Sequence, residues 1–155
     1  ISSKMNVIAA FLILFAATHS ATTISFEVPV EGDAQIVSKF GERTHPVLQT
    51  TRFHDGIDYK VSKDSKIVAS SSGSIKSVRF LEDEGYSIII KHEEGFETHY
   101  SQLQSVSEDV VVGEEILQRD FLGIPGKANY ADVHMSHFKI LKNGAFIDPT
   151  LFLIN

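Results

Sequence analysis

The chain has 155 residues and a formal net charge of −6, and it contains no cysteine. This length suits one domain with its own hydrophobic core. The acidic balance argues against a partner bound through nucleic-acid phosphates. Without cysteine there can be neither a disulfide framework nor a thiolate-ligated metal, so any metal must be held by His, Asp or Glu.

Residues 1–20 differ in composition from the rest of the chain. Lys4 and Met5 lead into an unbroken apolar run over residues 7–17, and small residues stand at the −3 and −1 positions of a cleavage after Ser20. The run is too short to span a bilayer, which needs ~20 residues. We therefore predict a signal peptide at 1–20 with initiation at Met5, and a secreted or periplasmic domain at 21–155 without a membrane span.

Short strands with glycine-containing turns are predicted along the mature chain. The continuous apolar run at 86–92 predicts a central strand buried on both faces. No long amphipathic helix, linker or repeat follows the signal peptide, so we predict one antiparallel all-β domain. The predicted strands cover residues 23–30, 35–40, 54–59, 67–69, 74–80, 86–92, 96–103, 110–117 and 121–123, and a turn-rich loop covers 41–47.

The segment at 110–123 has a recognisable shape. An apolar strand with a Gly113 turn is followed by a short strand that ends at Gly123. This arrangement resembles the hammerhead turns of biotinyl-type β-sandwiches. It predicts a compact β-sandwich and carries no information about chemistry.

His54 and Asp58 stand four residues apart within a predicted strand. Even spacing places both side chains on one face of an extended segment. A helix would also bring them together, but Gly56 and the β-branched Ile57 disfavour helix. An imidazole and a carboxylate on one face provide half of a zinc site. The alternative is a turn residue beside a surface acid.

His137 supplies a third candidate ligand. It precedes the hairpin signal Lys-Asn-Gly at 142–144, so we expect it on a strand that leads into a tight turn. With His54 and Asp58 it would give three protein ligands and leave one coordination position open. That count is typical of catalytic zinc sites, whereas structural sites close all four positions.

A series of short motifs runs from about residue 37 to residue 153: Gly41-x-Arg43-x-His45-Pro46-Val47, Phe53-His54-x-Gly56-Ile57-Asp58, Gly85-Tyr86, Thr98-x-Tyr100, Val112-Gly113, His137-Phe138 and Asp148-Pro149. In this order the motifs resemble those of the lysostaphin/LytM-type zinc peptidases. The resemblance implies an antiparallel β-sandwich with a groove, one Zn²⁺, and hydrolysis of peptide cross-links in bacterial peptidoglycan. The family's ligands fall on His54, Asp58 and His137.

Two positions depart from the family pattern. Gln102 and Met135 stand where the family has histidines, which there handle protons and stabilise the oxyanion. Gln102 cannot accept a proton, but it can donate a hydrogen bond to an oxyanion or position a water. His134 would face the same way as His137 only if a β-bulge at 135–136 turned it inward. Gln102 and His134 are therefore the candidate catalytic residues.

Tyr100 and Arg43 are the candidate substrate-binding residues. The Tyr100 hydroxyl can donate to a bound peptide, or the ring can pack across strands. Arg43 can clamp a substrate carboxylate, or it can be a solvated loop charge. We expect His45 to support its loop and His92 to be structural.

Three functions remain open from the sequence. The first is a zinc endopeptidase acting on bacterial peptidoglycan peptides, with activity weakened by the two replacements. The second is an inactive relative that keeps the zinc and the groove and binds peptidoglycan peptides or a protein. The third is a β-sandwich without a metal.

Overall fold

The computed structural model describes residues 23–128 and 133–154. The predicted signal peptide lies outside these residues. Within them, no helix has the length and apolar character needed to cross a membrane. The strands are β1 (Phe26–Glu27), β2 (Val30–Glu31), β3 (Ala34–Ser38), β4 (Gly41–Thr44), β5 (Thr51–His54), β6 (Ile57–Val61), β7 (Lys66–Val68), β8 (Gly73–Leu81), β9 (Gly85–Lys91), β10 (Phe96–Val106), β11 (Glu115–Ile116), β12 (Phe121–Lys127), β13 (His134–Lys142), β14 (Ala145–Ile147) and β15 (Leu153–Ile154).

Most strands join one large antiparallel sheet. Its main order is β11-β8-β9-β10-β12-β13-β6-β3, with β14 paired to β13 and β7 paired to both β2 and β12. Two small pairings stand apart: β1 lies parallel to β15, and β4 forms an antiparallel hairpin with β5. The described residues therefore confirm the predicted antiparallel all-β architecture.

Alternation along the central strands separates the core from the opposite face. On β13, Ser136, Phe138 and Ile140 are buried, whereas His137 and Lys139 between them are half-buried. The same alternation holds on β10, where Phe96, Thr98 and Tyr100 point into the core. Since neighbouring side chains of a strand point to opposite faces, the polar residues at odd positions of β13 share the outer face.

Several predicted strands differ from those observed. The predicted loop at 41–47 begins with β4, whose backbone groups pair with β5. The predicted strand at 54–59 is two strands interrupted at 55–56, and only Glu115–Ile116 of the predicted 110–117 strand pairs with a neighbour. Ile88 and Ile90 of β9 are fully buried but Ile89 is only half-buried, so the prediction of burial on both faces was wrong.

A chain of hydrogen bonds crosses the core beside His92. The Ser70 N–H donates to the Tyr100 hydroxyl at 2.9 Å, and that hydroxyl lies 2.8 Å from the Thr98 hydroxyl. His92 Nε2 lies 2.7 Å from Thr98 Oγ1, and His92 Nδ1 lies 2.7 Å from the Ser72 carbonyl oxygen. Every group is satisfied if His92 is neutral with its proton on Nδ1. The structural role predicted for His92 fits this network.

The network predicts a loss of stability in mild acid. Burial lowers the pKa of His92, against weaker opposing effects of the Ser72 carbonyl and Glu97. The unfolded chain, with a histidine pKa of about 6.5, then binds more protons than the folded chain below that pH, so stability falls as pH falls. Urea unfolding of metal-free protein between about pH 7.5 and about pH 5.5 should show this decline, and His92→Gln should weaken the pH dependence. An unchanged slope in His92→Gln would contradict the assignment.

Candidate metal centre

The three predicted ligands converge on the outer face of the sheet. One ligand atom from each of His54, Asp58 and His137 lies within 4.8 Å of the others. His137 Nδ1 is 2.5 Å from Asp58 Oδ1, and His54 Nε2 is 3.4 Å from Asp58 Oδ2. The two imidazole rings lie with their centroids 5.0 Å apart. Each ring therefore directs one nitrogen toward the same carboxylate.

Strand register accounts for two of the three ligands. His137 of β13 stands directly opposite Asp58 of β6, and on its other side it stands opposite Ser101 of β10. Directly opposed residues of neighbouring strands bring their side chains together on one face. Asp58, His137 and Ser101 thus form a row across three strands.

The third ligand comes from a different sheet. His54 is the last residue of β5 and pairs with Gly41 of β4, whereas Asp58 belongs to β6. The two strands are separated at Gly56, where an added Cβ would lie 2.3 Å from the Phe138 carbonyl oxygen. Only glycine permits that approach to β13. The chain bends at Gly56, and His54 Nε2 comes within 3.4 Å of Asp58 Oδ2.

Gly56→Ala is therefore expected to destabilise the fold. The new methyl group would meet backbone rather than a flexible side chain, so β6 or β13 must shift. We expect the free energy of unfolding, measured by urea denaturation, to fall by about 1–3 kcal/mol. Lys60→Ala, an exposed position on the adjoining strand β6, is the control and should change stability by no more than about 0.5 kcal/mol. Equal effects of the two changes would refute the close-approach argument.

The outer nitrogen of each imidazole also has a partner. His54 Nδ1 lies 2.9 Å from the Lys39 carbonyl oxygen, and His137 Nε2 lies 3.2 Å from Asp55 Oδ1. Metal-bound histidines usually donate their second ring N–H to a carbonyl or a carboxylate. Two imidazole nitrogens and a carboxylate oxygen, with acceptors behind both rings, fit a zinc ion.

Two carboxyl groups at the centre have lowered pKa values. Burial of Asp58 opposes ionisation, but His137, His54 and Ser38 outweigh it, and the pKa lies below its usual range. Burial also opposes ionisation of Asp55, and there Lys139 and His137 outweigh it and lower the pKa. Both side chains are therefore carboxylates near neutral pH, as a metal centre requires.

The centre lies in a groove of about 490 Å³. Past Asp58 and Gln102 the groove continues into a second depression of about 530 Å³, which reaches Met135. Both positions where the family pattern has histidine therefore face this continuous groove. The residues that line its first part are Arg43, Arg52, Phe53, His54, Asp55, Asp58, Glu84, Ser101, Gln102, His137 and Lys139.

Gln102 has an unusual backbone conformation in the groove wall. Its φ is 63°, in the left-handed region that few residues other than glycine adopt, and its N–H donates to the Glu84 carbonyl oxygen at 3.1 Å. The pairing of β10 with β9 shifts between Tyr100 and Leu103. β10 therefore contains a bulge at this point, and Gln102 within it lines the groove.

The structure does not bring His134 to the centre. The register of β13 against β6 runs unbroken from His134 to Phe138, so the bulge considered at 135–136 is absent. Alternation then turns His134 away from His137. The His134 ring lies 3.3 Å from the Pro125 carbonyl oxygen and lines a separate depression with Lys60 and Lys63.

Tyr100 also lies away from the groove surface. Its side chain is 1% exposed, and its hydroxyl is taken up by the hydrogen bonds with Ser70 and Thr98. A buried hydroxyl with both partners inside the core cannot reach a bound peptide. The structure thus contradicts the substrate-binding assignment and supports the packing alternative.

Arg43 and His45 lie on or beside the β4–β5 hairpin. Arg43 lines the groove, with Nη2 2.5 Å from His54 Nδ1. His45 Nδ1 accepts hydrogen bonds from the backbone N–H groups of Val47 and Leu48 at 3.2 and 3.1 Å. These two hydrogen bonds hold the loop after β4, which is the role expected of His45.

Asp55 and Lys139 were not predicted from the sequence, although both line the groove beside the ligands. A signal for each was present. Asp55 stands inside the His-Asp motif, and Lys139 is two residues from His137, so it shares the outer face of β13. The Lys39 contact comes from a backbone carbonyl, which no residue type could have indicated.

The fold and the donor set define a lysostaphin-like β-sandwich domain with a candidate metal centre in its groove. The chain belongs to peptidase family M23, whose profile matches residues 52–149. It is 33% identical over 117 residues to the DD-carboxypeptidase/endopeptidase Mpg of Neisseria meningitidis, an alignment that covers 74% of this chain. The chain spans only 26% of that relative's length.

Solved structures share the fold. Csd3 of Helicobacter pylori superposes with a TM-score of 0.71 at 25% identity, covering 84% of this chain and 35% of Csd3. SpoIIQ in the SpoIIQ–SpoIIIAH pore-forming complex superposes with a TM-score of 0.70 at 26% identity, covering 84% of this chain and 91% of the matched chain.

Proposed function

We propose that residues 21–155 form an exported zinc-dependent peptidase domain that hydrolyses peptide cross-links of bacterial peptidoglycan. The observation that carries the proposal is the convergence of His54, Asp58 and His137 within 4.8 Å at the groove. Membership of family M23 and the endopeptidase name of the Neisseria relative support it. A peptidoglycan substrate and the apolar segment at 7–17 both favour a location outside the cytoplasm.

The ligand set determines what the groove can do. His54 Nε2, His137 Nδ1 and an Asp58 oxygen would hold the ion, because each imidazole directs that nitrogen at the Asp58 carboxylate. Zinc, when bound, supplies Lewis acidity that activates water and polarises a scissile carbonyl. Three protein ligands leave access for substrate from the open groove.

Gln102 is the residue proposed to stabilise the oxyanion. Its amide can donate a hydrogen bond to developing negative charge but cannot take up a proton. Neither Gln102 nor Met135 can perform acid-base catalysis from the positions where the family has histidine, and the loss of one such group typically costs about 10²–10⁴-fold in rate. We therefore expect slow turnover, and we assign no step to His134.

Arg43 is the proposed carboxylate clamp. His54 Nδ1 must carry a proton to donate to the Lys39 carbonyl, and this tautomer leaves Nε2 for the metal. The protonated Nδ1 offers no acceptor to Arg43 Nη2, and at 2.5 Å the two N–H donors repel each other, so in this tautomer the guanidinium must move away from His54. The guanidinium is thus available for a substrate carboxylate, with which it can form two parallel hydrogen bonds.

A binding module is the second candidate function. Gln102 and Met135 favour it, because both acid-base positions have lost their histidines while the three ligands remain. A structural relative, SpoIIQ, was solved in complex with another protein. Such a module would keep the zinc and use the groove to bind peptidoglycan peptides or a protein partner.

One pair of measurements separates these functions. We expect the purified mature chain to contain equimolar zinc and to release new amino groups from purified peptidoglycan faster than His54→Ala. Equimolar zinc with no release above His54→Ala would refute the enzyme and favour the binding module, which co-sedimentation with peptidoglycan then tests. A mature chain without bound zinc would refute the proposed metal centre.

A further inference from the structure

His137 lies between two carboxylates. Its Nδ1 is 2.5 Å from Asp58 Oδ1 on one side, and its Nε2 is 3.2 Å from Asp55 Oδ1 on the other. The side chain of His137 is only 12% exposed, so water competes weakly for either nitrogen. The ring is therefore oriented by both neighbours, and only Asp58 belongs to the ligand set.

Lys139 fixes the far oxygen of Asp55. Lys139 Nζ donates to Asp55 Oδ2 at 3.0 Å, and the same ammonium lies 5.4 Å from the centre of the Phe146 ring. The two side chains are 24% and 33% exposed, so this pair is partly shielded from solvent. With Oδ2 engaged by Lys139, Oδ1 is left directed at His137.

We propose that Asp55 is a positioning residue that accepts the Nε2 proton of His137 when a metal is bound, and so favours the tautomer whose Nδ1 lone pair can bind the metal beside Asp58. The inference rests on the metal centre of the proposed function. A neutral imidazole has one N–H and one lone pair. In the metal-free ring Asp58 also attracts the proton, at 2.5 Å against 3.2 Å for Asp55. A cation held by Nδ1 and Asp58 excludes the proton from Nδ1, and Asp55 is then the acceptor that holds it on Nε2. Partners of this kind behind metal-bound histidines commonly support affinity.

The two histidine ligands differ in how this orientation is achieved. The outer nitrogen of His54 faces the Arg43 guanidinium, which can only donate, and the Lys39 backbone carbonyl, the acceptor that no substitution removes. The outer nitrogen of His137 faces a side chain, so its orientation can be altered in a single variant. Asp55 is therefore the position at which the proposal can be tested.

Asp55→Asn is the informative variant. Lys139 can only donate, so the new amide would turn its oxygen toward Lys139 and its NH₂ toward His137 Nε2. That amide donor favours the tautomer with the lone pair on Nε2, which points away from Asp58. We expect zinc affinity, measured by competition with a chromogenic chelator on the mature chain, to fall about 10–100-fold.

Two further variants separate orientation from net charge. Glu84→Gln makes the same carboxylate-to-amide change in the same groove, and Glu84 makes no side-chain contact with a ligand among the described hydrogen bonds and ion pairs; we expect less than about a 3-fold change. Lys139→Met removes a nearby cation, so a pure charge effect would tighten zinc binding. Orientation through Asp55 predicts the opposite, a weaker affinity.

The His137 ring proton gives a readout that general loss of structure would not mimic. In zinc-loaded protein labelled with ¹⁵N at histidine, we expect the Nε2 proton of His137 to exchange slowly with water in the wild type and rapidly in Asp55→Asn. The His54 ring signals should be unchanged in the same sample.

The outcomes separate this inference from the proposed function. Zinc affinity within about 3-fold of the wild type in Asp55→Asn, with an unchanged His137 proton, overturns the role of Asp55 and leaves the peptidase intact. Tighter binding by Lys139→Met also overturns it. A wild type that binds zinc without peptidoglycan turnover refutes the peptidase, while the Asp55 comparison still decides this proposal. A wild type without zinc overturns both.

Discussion

Replacing His54 with alanine is expected to remove equimolar zinc from the mature chain and to reduce peptidoglycan turnover to background. Only His137 and Asp58 would remain, and two protein ligands are fewer than zinc sites normally provide. We expect the loss of affinity to exceed the 10–100-fold that is typical when a residue hydrogen-bonded to a metal ligand is changed. Zinc content after dialysis against a weak chelator measures it.

His45→Ala is the matched control for that experiment. His45 belongs to the same β4–β5 region, but its ring accepts backbone hydrogen bonds from Val47 and Leu48 and lies outside the ligand set. We expect it to retain zinc. Equimolar zinc in His54→Ala would contradict the ligand assignment, and zinc loss in both variants would instead indicate that the hairpin fold is needed.

The convergence of His54, Asp58 and His137 could be predicted because motif and register agree. His137 stands opposite Asp58 across two adjacent strands, and a strand-forming pattern around each residue was visible in the sequence. The prediction that His54 and Asp58 share one strand was wrong in its geometry, since β5 ends at His54 and β6 begins at Ile57. Gly56 brings them together by a close backbone approach, which periodicity does not encode.

The residues around the ligands were harder to predict. Alternation indicates that two residues share a face but not which face is buried. The sequence therefore left open whether Tyr100 faces the groove or the core, and the structure shows it buried in the core. Bulge positions depend on long-range pairing, and the irregularity lies near Gln102 rather than at 135–136. The role of Asp55 depends on its contacts with His137 and Lys139. Both lie more than eighty positions away along the chain, so the sequence around Asp55 did not indicate the role.

The groove is expected to gain catalytic power if the missing histidines are restored. Gln102→His and Met135→His would each place an imidazole on the groove that already contains Asp58. Histidine is also among the residues enriched at positive φ, so the 63° conformation at position 102 suits it. If acid-base chemistry is the missing element, we expect peptidoglycan turnover to rise by about 10²–10⁴-fold in the double variant.

Restoring one histidine tests which position limits turnover. Groups that act as a unit in catalysis are strongly non-additive, so each single variant should gain far less than the pair. His134→Ala in the double-variant background is the control, because His134 lies on the opposite face of β13 and should contribute nothing. A double variant that holds equimolar zinc, keeps its fold and still leaves peptidoglycan uncut would show that the groove does not orient a scissile bond. His54, Asp58 and His137 would then serve binding rather than catalysis. The loss of catalytic function would in that case involve more of the groove than positions 102 and 135.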